Sequence, residues 1–216
     1  MENQRKYLRE VCLNLTFKNL GILTLMIGIM ALLVEDLSLF RVLLIIYISV
    51  WSFYIQGSIF ERAIKSGVTR VYFVKYRLFV IFIMAIIYSI IIPVTFTRDG
   101  MNGPMYYTLP VLLEIFTYLV LLMTFSDVVV LIYEKNKFMS ILIALLFIIY
   151  IYYFDRGLIE IFKARGTVRL MNKISGAKDY NLIVNYSFYF KMFIRCILSA
   201  LLIVVSWKYN LKRDVK

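Results

Sequence analysis

No histidine occurs among the 216 residues, which excludes an imidazole general base, imidazole metal ligands and most nucleophilic triads. There are only two cysteines, Cys12 near the N-terminus and Cys196 inside the last apolar run. Two separated thiols are too few for a thiolate metal site, and so distant a pair makes poor disulfide partners. The nine glycines are scattered and no G-x-x-x-x-G-K-[ST] occurs, so no phosphate-cradling loop of that kind is present. Charged residues make up only 18% of the chain, and no apolar run carries the paired carboxylates of some membrane proteases. The clustered aspartates of lipid-headgroup transferases are missing too. The expectation is a protein with no catalytic residues, no metal and no cofactor.

What the chain has in excess is apolar material: 62% hydrophobic residues and a mean hydropathy of +0.82. Soluble domains hold about 45–50% apolar residues, so the surplus needs a bilayer. About 20 apolar residues cross about 30 Å of hydrocarbon. Six runs are read as spans, the first and fifth of them short: 20–34, 42–60, 78–96, 111–132, 138–154 and 188–207. Pro110 leads into the fourth, as suits a first helical turn, and Pro93 sits near one end of the third, where a lost hydrogen bond costs least. Residues 1–19 place Leu8, Val11, Cys12 and Leu15 on one face and predict an interfacial amphipathic helix. Residues 208–216 read as a basic tail. Fifteen of the 25 Lys and Arg fall in the termini and alternate loops and eight in the other loops, which orients both termini toward the cytoplasm. The loop 155–187 dissents with six. The net charge of +12 thus fits anionic lipid headgroups rather than nucleic acid. The expected fold is all-α: a polytopic, multi-pass cell-membrane protein with six transmembrane helices.

The most informative loop lies between the second and third runs. Glu61 predicts the start of a short helix, because an acid there complements the helix dipole. Gly67 suits the left-handed residue that ends such a helix. Thr69 can cap the next one, whose first turns carry Arg70, Lys75 and Arg77 at headgroup level. The segment resembles the coupling-helix region of type-2 ABC exporter permeases. Glu61 matches that family's acid, Gly67-Val68-Thr69-Arg70 its G-[small]-[ST]-R segment, and Lys75 the following base. The resemblance covers the layout of the whole chain but, as a motif, only about seventeen residues. It implies a permease subunit in which Glu61, Arg62, Gly67, Arg70 and Lys75 couple to a separate cytoplasmic ABC ATPase. It also implies a second permease chain, with ATP hydrolysis supplied by the partner and export of a peptide, antibiotic or lipid-like cargo. Two features depart from the commonest pattern: a short loop at 35–41 and a long outer loop at 155–187, where Leu158, Ile159, Ile161 and Phe162 could start a short helix. The alternatives are a non-transporting immunity or assembly factor and a secondary transporter. Isolated Gly28 and Gly57, and the marginal Pro93, argue against the latter.

Four ionisable residues fall inside the runs: Glu114, Asp127, Lys191 and Arg195. Such groups are costly in hydrocarbon, by roughly 2.5–3.5 kcal/mol at a helix centre, so they seek partners. Glu114 and Lys191 lie at similar depth, with Arg195 one turn deeper on the face of Lys191. Glu114 is therefore expected to pair with Lys191 or Arg195. Asp127 lies too far along the same helix to compete.

Overall fold

The computed structural model describes residues 47–94 except 49, 52 and 53, then 109–153 and 186–213, and every regular element among them is helical. The expected helix at 1–19, the first span, the loop 35–41 and nearly all of the loops 97–110 and 155–187 lie outside these residues. A helix from the second expected span passes through a π-helical turn, Ile55–Ile59, directly into α1, Phe60–Lys65. Then follow α2 (Arg70–Val94), α3 (Leu109–Lys135), α4 (Lys137–Tyr153) and α5 (Tyr186–Lys212).

Among the described residues, three stretches are long and apolar enough to cross a membrane: Arg70–Ile92, Leu112–Lys135 and Tyr189–Lys212. At about 1.5 Å per residue each exceeds the roughly 30 Å of a hydrocarbon core, whereas α4, with 17 residues, falls a little short. α2 begins eight residues before the expected span, because Phe73 and Val74 already face the core and carry the helix into the loop. α5 likewise continues to Lys212 instead of giving way to a tail at 208, since Asn210 is buried in the bundle.

Side-chain ties fix the directions of the helices. Ser140 Oγ donates to the Val129 carbonyl at 3.2 Å, and Phe125 stacks on Phe147 with centroids 3.7 Å apart. Residue numbers rise on one helix as they fall on the other, so α3 and α4 form an antiparallel hairpin. A single residue, Asn136, turns the chain between them. Its side-chain oxygen accepts from the Met139 N–H at 3.2 Å and caps α4. The pairs Arg77–Asp127 and Phe82–Phe116 make α2 antiparallel to α3, and Glu114–Arg195 and Glu134–Arg213 make α5 parallel to it. α3 is the hub: 78% of its apolar window is buried, against 44% for α2 and 11% for α5.

The core repeats at helical spacing. Ile48, Trp51, Ile55, Ile59 and Ala63 line one face before the first corner; Val80, Ile81, Met84, Tyr88 and Ile92 do so along α2. In hydrocarbon such packing gains no hydrophobic transfer energy, so close fit and buried polar ties must fix the arrangement.

Candidate functional site

One end of the bundle gathers the end of α1, the starts of α2 and α4, and the last turns of α3 and α5. It carries most of the described charge. α1 ends in a Schellman turn: the Gly67 N–H bonds to the Ile64 carbonyl at 2.9 Å and the Val68 N–H to the Ala63 carbonyl at 3.0 Å. Gly67 adopts φ 88°, the left-handed conformation expected of it. Ser66 Oγ adds a bond to the Ala63 carbonyl at 2.8 Å. Thr69 then caps α2, with its Oγ1 accepting from the Tyr72 N–H at 3.4 Å. Phe60 meets Phe73 edge-on at 5.0 Å and pins the two helices below the corner.

The structure differs from the sequence expectation at the start of α1. Glu61 does not open a new helix. The residue before α1, Ile59, is already helical, and the Phe60 N–H reaches back to the carbonyls of Ile55 and Gly57, so the backbone runs unbroken through the π turn. Bonds of the i→i+5 type reset the face that a helix presents, which is how Phe60 and Ala63 stay buried while Arg62 and Lys65 emerge.

Lys65 Nζ lies 2.8 Å from Glu61 Oε1, and this hydrogen bond, with the charge behind it, holds the Glu61 carboxyl below its ordinary range. Arg62 is exposed and Lys75 points outward from α2. Arg70 instead reaches across the corner, its Nη1 donating to the Leu211 carbonyl of α5 at 3.0 Å. Beside it Arg213 Nη1 donates to the Gln56 carbonyl at 2.7 Å, and Nη2 pairs with Glu134. The Arg213 guanidinium lies 4.2 Å from the centre of the Phe60 ring. Gln56 Nε2 donates to Asn210 Oδ1 at 2.9 Å, and Asn210 Nδ2 to the Ser206 carbonyl at 2.9 Å, all of them buried.

Deeper in the bundle, two ion pairs are buried among the described residues. Glu114 meets Arg195, with Nη1 2.7 Å from Oε2, both side chains at most 3% exposed. Arg195 Nη2 donates to the Tyr118 hydroxyl at 2.7 Å, and the guanidinium lies 3.5 Å from that ring's centre. Of the two bases expected for Glu114, Arg195 is thus the one that pairs, while Lys191 is only partly buried. The second pair was not expected. Arg77 Nε donates to both oxygens of Asp127, at 3.0 and 3.3 Å, and Nη2 to Oδ1 at 2.7 Å. Trp51 packs on the guanidinium at 5.8 Å. Arg77 is therefore held inside the bundle, 3% exposed, rather than standing free at its surface. Its position in sequence carried a signal, because Phe73, Arg77 and Ile81 recur every fourth residue on the buried face and Asp127 lacked an assigned base.

Among the described residues no three Cys, Asp or Glu side chains gather where they could share a metal ion. The described residues form a helical bundle that includes three helices suited to crossing a membrane, two buried ion pairs and a charged end. No family model matches this chain, and neither does any curated protein or solved structure.

Proposed function

We propose that the chain is the membrane-embedded permease subunit of an ATP-driven exporter of the type-2 ABC kind, working with a separate cytoplasmic ATPase and a second permease chain. The observation that carries this reading is the corner at 60–70. It is short, locked by a Schellman turn, pinned by Phe60 against Phe73, and exposes Arg62 and Lys65 beside the partly exposed Glu61. A rigid charged projection can take up a push from a soluble partner without melting. A solvated loop cannot.

The rest of the molecule supports a membrane setting. α4 exposes Phe138, Ile141, Leu145 and Ile148, and α5 exposes Phe190, Phe193, Ile197 and Leu201. Contiguous apolar area on this scale suits lipid or another apolar helix rather than water. The remaining spans and the cytoplasmic location of both termini belong to the same proposal. The test is to replace Glu61 and Arg62 together by Ala and measure how much ATPase subunit co-purifies, and how far the permease stimulates ATP hydrolysis. The proposal expects loss of both; unchanged association and stimulation would refute it.

A further inference from the structure

We infer that the last two turns of α5 with the residue that follows, Ser206 to Arg213, form the element through which movement of the 60–70 corner reaches the rest of the bundle, an inference that rests on the permease reading. Three separate ties join them, two through Gln56 in the π turn that leads into α1 and one through Arg70 at the end of the corner. Asn210 holds the side chain of Gln56, Arg213 holds the backbone carbonyl of the same residue, and Arg70, the last residue of the corner, holds the Leu211 carbonyl. Two of the three acceptors are backbone carbonyls, so the ties position main chain and not merely side chains. Arg213 is forked. While one nitrogen holds Gln56, the other pairs with Glu134 at the end of the hub helix α3, and its plane lies on Phe60 of α1.

A displacement of α1 therefore cannot leave the end of α5 behind without breaking bonds to a nearly buried amide pair. By contrast α4 shares no described hydrogen bond or ion pair with the corner. The π turn adds a local reason for motion to start here, since single π turns interrupt regular helix geometry and often mark working positions. Input at the exposed face of α1 would thus shift α5 and the Arg213 end of α3, while the buried pairs Arg77–Asp127 and Glu114–Arg195 keep the bundle's register deeper down.

Arg213→Lys is the sharpest variant, because a single ammonium can keep Glu134 but cannot also span to the Gln56 carbonyl as the forked guanidinium does. Gln56→Leu removes the side-chain tie to Asn210 at similar volume, and Lys137→Gln, exposed at the same end, is the control. Hydrogen exchange of the full chain in lipid nanodiscs reads the amides of Ser66, Gly67 and Val68. The inference expects about tenfold faster exchange there in both variants, the change that about 1.4 kcal/mol produces. The control and the α3 core at 115–123 should be unaffected. The second arm uses the chain with its ATPase subunit, trapped with ATP and vanadate. Trapping should alter exchange at both 66–68 and 206–212 in the unmodified complex, but only at 66–68 in Arg213→Lys. Unchanged exchange at the corner in both variants, or an undiminished response at 206–212 in Arg213→Lys, would overturn the inference. Failure of any ATPase to bind the unmodified chain would instead overturn the permease reading, while the first arm would still decide whether corner and α5 move together.

Discussion

Replacing Asp127 by Asn should be among the most damaging single changes in the bundle. The carboxylate accepts three N–H contacts from Arg77 between 2.7 and 3.3 Å, with both side chains at most 3% exposed. The substitution keeps the volume but removes the charge, and an arginine does not shed its own. Removing one partner of a buried pair in this way costs about 3–5 kcal/mol. Arg77→Gln should cost less, because the acid left behind can take up a proton. The double variant Arg77→Gln, Asp127→Asn leaves two neutral amides that can bond each other, and should recover most of the loss. The coupling energy from the cycle is then about 2 kcal/mol or more, well above the roughly 0.6 kcal/mol typical of neutral hydrogen bonds between membrane helices. Unfolding in mixed micelles, titrated with denaturing detergent, measures all four proteins. Additive losses, or an Asp127→Asn protein within about 0.5 kcal/mol of the parent, would refute the assignment of Arg77 as a buried partner.

The same cycle on Glu114 and Arg195 should also show coupling of more than about 1 kcal/mol, whereas pairing Glu114→Gln with Lys191→Gln should give additive effects within about 0.5 kcal/mol. Gly67→Ala should loosen the corner, since a side chain in the left-handed conformation costs about 1–2 kcal/mol, and hydrogen exchange at 66–68 would register it. Gly67→Asn should do less harm. The Glu61 carboxyl, followed by carbon-13 NMR, should titrate below the ordinary glutamate value of about 4.3 and move back up in Lys65→Ala. Because its folded value is lowered, the Glu61–Lys65 tie is present at neutral pH and is lost only as pH falls through that lowered value.

The sequence spoke clearly wherever the physics was local. Gly67 and Thr69 act within a few residues of themselves, so a left-handed stop and a cap could be read directly, and both are present. Glu114 and Arg195 could be matched because depth along a helix follows from residue number. The π turn could not be read, since i→i+5 bonding leaves no periodic mark in five residues such as Ile55–Ile59. The burial of Arg77 was missed because a basic residue beside a loop normally reads as exposed, and only its register with Phe73 and Ile81 reveals it. The ties of Gln56 to Asn210 and to Arg213 span more than 150 residues and depend on two helices running parallel, which no local pattern announces.

The central claim is that the 60–70 corner docks on an ATPase, and site-specific photocrosslinking tests it most directly. A benzophenone amino acid is placed at Arg62, exposed on the corner, or at Tyr153, exposed at the far end of α4. Native membranes are irradiated, the chain is purified under denaturing conditions, and the adducts are probed with a photoreactive ATP analogue applied before lysis. The proposal predicts a covalent adduct from position 62, and none from 153, to a polypeptide that the nucleotide also labels. Adducts only to lipid or to nucleotide-blind proteins at position 62, or equal capture of the nucleotide-labelled protein from both positions, would contradict it.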